Sequence, residues 1–113
     1  MSLRKAISYL KTFGVTEKDA LVYIYLAKKG PQRAISIAAT LNLSKCQLYE
    51  SLRYLRDNGI VRYYFSRSTE FSAVSFEKAM DLLLQSNLNE VNILEKQRRE
   101  ILSKWKSSDI QKL

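Results

Sequence analysis

The sequence contains no histidine, one cysteine and three glycines among its 113 residues. Without histidine or a second cysteine, the usual ligand set of a structural zinc site is missing. No nucleophilic side chain has an obvious catalytic base to activate it, and the glycines are too scattered to form a phosphate-binding loop. We therefore expect neither an enzyme nor a bound metal or other cofactor.

Long apolar runs are also missing from the chain. No stretch of about 18 apolar residues occurs, and charges interrupt the N-terminal segment, so we expect neither a membrane span nor a signal peptide. Cys46 has no partner for an internal disulfide, which fits a reducing compartment. The sequence predicts a cytoplasmic protein with one small domain and an appendage.

Positive charge is concentrated in the first two thirds of the chain. Residues 1–75 contain 12 Lys and Arg against 5 Asp and Glu, whereas residues 76–113 contain 7 against 6. A basic globular part suits a polyanionic partner such as DNA, and a near-neutral tail suits a protein partner. The alternative at this point is a merely soluble basic protein.

Residues 43–59 predict a capped amphipathic helix. Ser44 suits the N-cap, and Gly59 suits the left-handed position that ends a helix. Three leucines recur on one helical face: Leu48, Leu52 and Leu55. The outward face at the start of this helix is polar, as in a recognition helix that enters the major groove. An ordinary amphipathic helix with a solvated face is the alternative.

Three shorter helical patterns precede this helix, at residues 2–12, 17–29 and 37–42, and Ser36 suits the N-cap of the third. A short helix, a turn and a capped longer helix together form the helix-turn-helix pattern.

After Gly59 the apolar period changes from 3.6 to 2, which predicts strands at residues 61–65 and 70–74 joined by a turn at 66–69. The predicted fold is mainly α with a small β-hairpin (α+β), a winged helix-turn-helix domain at residues 1–75.

At this point the chain resembles the DNA-binding domain of the TrmB family of archaeal transcription regulators. The resemblance extends from Phe13 to Met80 without an evident gap. Its distinctive points are Gly14, Thr16-Glu17, Gly30-Pro31, Tyr49-Glu50, Gly59-Ile60-Val61, Arg67 and Phe71-Ser72-Ala73-Val74. The resemblance implies a dimer that places its recognition helix in the major groove and its wing along the DNA backbone. Many relatives continue into a sugar-sensing domain, whereas this chain ends at Leu113, so we do not predict a sugar ligand and leave any other small-molecule effector open.

The segment from residue 76 to 113 predicts a long C-terminal helix that forms a dimerisation coiled coil. Apolar residues follow a spacing of four and then three, with Asn87 and Arg98 as the polar members of the seam. The predicted interface residues are Met80, Leu84, Val91, Leu94, Ile101 and Trp105. The alternative is a helix that folds back on its own winged domain.

The residues predicted to contact DNA are Ser44, Lys45, Gln47, Tyr49 and Arg53 in the helix, and Arg62 and Arg67 in the wing. Gln47 can read adenine through two hydrogen bonds, and Lys45 and Arg53 can reach a phosphate or a guanine. We therefore predict a homodimeric, sequence-specific transcription regulator that binds double-stranded DNA. The alternatives are a winged-helix module that binds proteins of a transcription assembly, and a non-specific, chromatin-like DNA-binding protein.

Overall fold

The computed structural model of the chain describes residues 3–64 and 69–112, which form five α-helices and a small antiparallel sheet. The helices are α1 (Leu3–Thr12), α2 (Glu17–Lys29), α3 (Ala34–Leu41), α4 (Lys45–Asp57) and α5 (Phe76–Trp105). The strands are β1 (Gln32–Arg33), β2 (Val61–Tyr64) and β3 (Glu70–Ala73), and a short 3₁₀ helix spans Ile110–Lys112. The predicted fold class is confirmed, because a helix-turn-helix pair, α3 and α4, is followed by a β-hairpin and a long C-terminal helix.

The sheet has one strand more than the predicted hairpin. The strand order is β1-β3-β2, with both pairings antiparallel. Phe71 at the centre of β3 lies opposite Tyr63 on one side and Gln32 on the other. Phe65 and residues 66–68, the first three of the turn predicted at 66–69, lie outside the described residues.

Side-chain caps fix the starts of α2, α4 and α5. The Thr16 hydroxyl accepts a 3.1 Å hydrogen bond from the Asp19 backbone N–H at the start of α2. The third helix differs from its prediction, because it begins at Ala34 after Arg33 and has no side-chain cap. Ser36 therefore lies inside this helix instead of capping it.

The core lies where the helices α1, α2, α3 and α4 meet the sheet. Its most buried large side chains are Leu10, Val22, Tyr23, Leu26, Ile37, Leu48, Leu55, Ile60 and Val61. The start of α5 also contributes to this core, because Ala79 and Leu83 are buried there. The packing of the winged domain thus continues about two turns into the C-terminal helix.

From Leu84 onward α5 leaves the winged domain. Its large apolar side chains are at least half exposed, from 50% for Leu84 to 70% for Trp105, and the molecule is 59 Å long. The distal helix therefore does not fold back on its own domain, which was the alternative to an extended tail. None of the described helices is long and apolar enough to cross a membrane.

Candidate nucleic-acid interface

The first turn of α4 is held by a reciprocal pair of hydrogen bonds between Ser44 and Gln47. The Ser44 hydroxyl accepts a 3.1 Å bond from the Gln47 backbone N–H, and the Gln47 side-chain oxygen accepts a 3.0 Å bond from the Ser44 backbone N–H. This capping box satisfies two backbone donors that the helix start would otherwise leave unpaired. It also uses one of the two lone pairs of the Gln47 amide oxygen, while the amide NH₂ group of Gln47 remains available to a ligand.

Beyond the cap, α4 presents an open surface whose residues are all exposed: Lys45, Cys46, Tyr49, Glu50 and Arg53. The opposite face of α4 is buried through its leucines, so this surface has a fixed orientation relative to the domain. Of the predicted contacts, Lys45, Tyr49 and Arg53 are brought together here. Cys46 lies among them although it was not predicted as a contact.

Glu50 is the one acidic side chain on this surface. Its carboxylate lies 3.7 Å from the Lys18 ammonium group of α2. Lys18 thereby offsets a negative charge that would otherwise repel a phosphate, although such an exposed pair contributes little to stability.

A groove of about 350 Å³ separates α4 from the sheet. It is lined by Tyr49, Leu52, Arg53, Arg56, Tyr63, Thr69 and Phe71. The Phe71 ring lies 6.3 Å from that of Tyr49, nearly edge-on, and 5.9 Å from that of Tyr63. These contacts hold Tyr49 against the sheet while 40% of it stays exposed.

Arg56 is a basic residue of this groove that the sequence did not indicate. Its guanidinium carbon lies 5.7 Å from the Tyr63 ring centre, and its Nη1 donates a 3.4 Å hydrogen bond to the Tyr63 hydroxyl. Hydrogen bonds to Tyr63 and to Asp57 raise the pKa of Arg56 above its ordinary value, so the guanidinium stays charged. Its spacing of three from Arg53 was the available signal, since such residues share a helix face.

Arg62, the predicted wing contact that lies among the described residues, is not part of this groove. Arg62 is exposed on β2, but Tyr63 faces α4, and successive side chains of a strand point to opposite faces. Arg62 therefore lies on the other face of the sheet. Arg67 lies outside the described residues.

The predicted dimer residues divide into two groups. Met80 is half-buried beside the winged domain, whereas Leu84, Val91, Leu94, Ile101 and Trp105 are exposed. Leu88 and Leu102, which were not predicted, are 52% and 55% exposed close to the same seam.

Comparison with known proteins places this geometry in context. The model of a family described as "Sugar-specific transcriptional regulator TrmB" matches residues 10–77, more than half of the chain. No curated protein matches the chain.

Solved structures with a similar fold include three proteins from archaea and bacteria. The ST1889 protein of Sulfolobus tokodaii is 22% identical with a TM-score of 0.66, over 82% of this chain and 99% of that one. TrmBL2, described as an archaeal chromatin protein, is 15% identical with a TM-score of 0.81, over 92% of this chain and 42% of that one. The transcriptional regulator Tm0710 of Thermotoga maritima is 16% identical with a TM-score of 0.57, over 88% and 77%. At these identities the likeness concerns the fold.

Proposed function

This chain belongs to the TrmB family of transcription regulators, and from that premise we propose that it binds double-stranded DNA as a homodimer and regulates transcription at specific sites. Its family is one of DNA-binding regulators and not of enzymes. Such a regulator would act in the cytoplasm, where the DNA is.

The observation that carries this proposal is the outward face of α4. A helix docked through its leucines presents Lys45, Tyr49 and Arg53 from a start that a capping box makes rigid. Rigid presentation matters because a contact with a base edge requires a fixed side-chain position. Lys45 and Arg53 supply the positive charge and the donors for phosphate or guanine, and Tyr49 supplies an apolar surface with a hydroxyl group.

Arg56 would extend the contact from the helix toward the wing. Its guanidinium rests on the Tyr63 ring, so part of its conformational freedom is already lost before DNA binds. Because it lies in the last turn of α4, we assign it a phosphate. Lys18 would add positive charge beside Glu50.

A second candidate function is non-specific, chromatin-like DNA binding. Two observations favour it: the net charge of +8, and the similarity in fold to TrmBL2, which is described as a chromatin protein. The two candidates use the same surface but differ in selectivity, because charge alone attracts every duplex equally.

A competition measurement separates the two functions. Duplexes selected by the protein from a random library would compete with unselected duplexes at two fixed salt concentrations. A regulator should prefer the selected duplexes by roughly 10³-fold or more. A ratio near one would overturn specific regulation and leave the chromatin-like function, and absence of binding to any duplex would favour the protein-interaction module.

Two matched variants test whether the α4 surface makes the contacts that determine DNA binding. Arg53→Ala should weaken binding to selected duplexes and lower the salt slope by about one. Lys11→Ala removes the same charge from α1 and should have much less effect. Equal effects of the two variants would mean that net charge, and not the α4 surface, determines binding.

A further inference from the structure

The distal part of α5 carries information about how two copies would pair. Seam positions of a coiled coil recur at alternating spacings of four and three residues. In this helix they are Leu84, Asn87, Val91, Leu94, Arg98, Ile101 and Trp105. No side chain of the described α5 forms an ion pair within the chain, so its charges are available to a partner.

Charge is distributed unevenly along this helix. In the exposed part of α5, residues 84–94 contain one acidic and no basic side chain, a net of −1, whereas residues 95–106 contain five basic and two acidic ones, a net of +3. A parallel pairing of two copies would place like charges together, whereas an antiparallel pairing would place opposite charges together. Complementary fields of this kind select one pairing over another.

A parallel pairing would place like charges in contact at two levels of the seam. Arg98 would meet the Arg98 of the second copy, because the same seam residue occupies each layer of a parallel coiled coil. Glu90 would lie beside the partner's Glu95, since flanking residues five positions apart are neighbours in that arrangement. Like charges at such positions destabilise the pair.

We infer that two copies pair through α5 in antiparallel orientation, with Val91 opposite the partner's Ile101. This register also places Leu94 opposite the partner's Arg98, and Asn87 opposite the partner's Trp105. The inference rests on the proposed homodimer and adds its orientation and register.

The flanking positions support this register. Glu90 then lies beside the partner's Lys104, and the exposed Leu88 lies beside the partner's Leu102, which gives both apolar side chains a cover. Near the centre, Glu95 lies beside the partner's Glu95, and the two Arg98 side chains of the neighbouring seam layers balance this negative charge. A shift by one heptad would instead place Leu88 beside the partner's Glu95.

Asn87, a polar residue of the seam, tolerates this arrangement. The Asn87 side-chain NH₂ group already donates a 2.9 Å hydrogen bond to the Leu83 carbonyl oxygen of its own helix. Part of its hydrogen-bonding capacity is thus satisfied when the partner's Trp105 covers it, which reduces the cost of burial.

The register also fixes the distance between the two winged domains. The two-fold axis passes near Lys96, so the Leu84 levels of the two copies lie roughly 36 Å apart at about 1.5 Å per residue. Helix-turn-helix dimers read half-sites separated by about 34 to 36 Å, one turn of DNA. An antiparallel rod of this length therefore holds the two points at which α5 leaves the winged domains at a spacing close to one turn of DNA.

Disulfide trapping tests orientation directly. In chains carrying Cys46→Ser, Val91→Cys and Ile101→Cys are introduced separately, with a tag on one of them. After mixing and mild oxidation, we expect a linked product that contains one chain of each kind, and none from either variant alone. Linked pairs of identical variants would overturn the antiparallel orientation. Sedimentation of the unmodified chain distinguishes the two proposals, because a monomer at micromolar concentration would overturn the homodimer itself.

A charge reversal gives an independent reading, because the two orientations predict opposite signs. Glu90→Lys should raise the dimer dissociation constant roughly five- to tenfold in the antiparallel pair, where it meets the partner's Lys104. In a parallel pair it would meet Glu95 and strengthen the dimer. The double variant Glu90→Lys with Lys104→Glu should return the constant to near its original value, and a constant that stays raised would contradict the register.

Discussion

The Tyr23 hydroxyl donates a 2.7 Å hydrogen bond to the carbonyl oxygen of Val74, which joins the centre of α2 to the end of the wing. Tyr23 is only 1% exposed, and its ring lies 6.4 Å from that of Phe76 at the start of α5. The Val74 N–H in turn donates to the Ile60 carbonyl oxygen. One buried tyrosine therefore links the helical core, the sheet and the long helix.

Because Tyr23 is buried, the free energy of unfolding should fall at alkaline pH. Burial raises the pKa of Tyr23 from 10.0 to about 12. Below pH 10 the hydroxyl is protonated in both states; between pH 10 and 12 the unfolded chain loses this proton first, so stability falls as the pH rises. The full effect is roughly 2 to 3 kcal/mol.

Tyr23→Phe should remove the part of the alkaline loss of stability that comes from this hydroxyl group. It should also lower the free energy of unfolding at pH 7 by about 1 to 2 kcal/mol, because the Val74 carbonyl loses its hydrogen-bond donor. Urea unfolding at pH 7 and pH 11 measures both effects. Tyr9→Phe, at a residue 45% exposed, is the control. If Tyr23→Phe loses as much stability on alkalinisation as the unmodified chain does, burial of Tyr23 is not the cause.

Ser51 is fully buried in α4, and its hydroxyl has no hydrogen-bond partner in the described part of the chain. A buried hydroxyl without a partner destabilises, and alanine has the higher helix propensity. We expect Ser51→Ala to raise the free energy of unfolding by about 1 kcal/mol in urea titrations.

Ser75→Ala is the matched control for this change. The Ser75 hydroxyl accepts a 3.1 Å hydrogen bond from the Lys78 N–H at the start of α5, so its removal should cost about 1 kcal/mol. A loss of stability from both variants would indicate that Ser51 does have a partner, for example a bound water.

Gln47 allows folding and DNA reading to be separated. Gln47→Ala removes the capping box and should lower stability by about 0.5 to 1 kcal/mol as well as weaken binding. Gln47→Glu retains an oxygen that accepts from the Ser44 N–H and places a negative charge at a helix start, so stability should be kept. It lacks the amide NH₂ donor, however, and its charge repels DNA.

A stable Gln47→Glu variant with weakened binding and a relaxed preference at one base pair would assign the NH₂ group of Gln47 to base reading. Unfolding titrations and competition between selected and random duplexes provide the two measurements. If Gln47→Glu binds as well as the unmodified chain does, Gln47 serves only the cap.

Local signals in the sequence were sufficient for the main helices. Thr16 caps the start of α2 and Gly30 ends it, both as predicted, and Ser44 caps the start of α4. Such ends can be predicted from the sequence because a capping residue acts within one turn of the helix. The two-residue β1 gave no such signal. A strand of two residues is too short to show the alternation of apolar and polar residues that indicates a strand. Its pairing of Gln32 with Phe71 joins residues far apart in the chain.

The candidate site was predictable only as a set of outward residues. Helical periodicity indicated that Lys45, Tyr49 and Arg53 share an exposed face, and the structure places them there. Periodicity does not reveal what a side chain already contacts. The stacking of Arg56 on Tyr63 and the use of Gln47 in the cap depend on geometry between elements and at helix ends.

Truncation tests the role of the distal helix. Ala79 and Leu83 are the buried residues of α5, so a chain ending after Ser86 retains the whole core and should fold. It lacks nearly all of the seam and should be monomeric. A chain ending after Ser75 loses Phe76, Ala79 and Leu83 from the core and should be markedly less stable, which makes it the control for folding.

Operator binding should then divide into two parts. The chain ending after Ser86 should bind a single half-site as well as the full chain does, because α4 and the wing are intact. Its affinity for a complete two-half-site operator should fall by roughly 10² or more, since the second contact is no longer effectively intramolecular. Sedimentation at micromolar concentration accompanies the titrations. A truncated chain that still dimerises would place the interface elsewhere, because α5 beyond Ser86 is then dispensable for pairing.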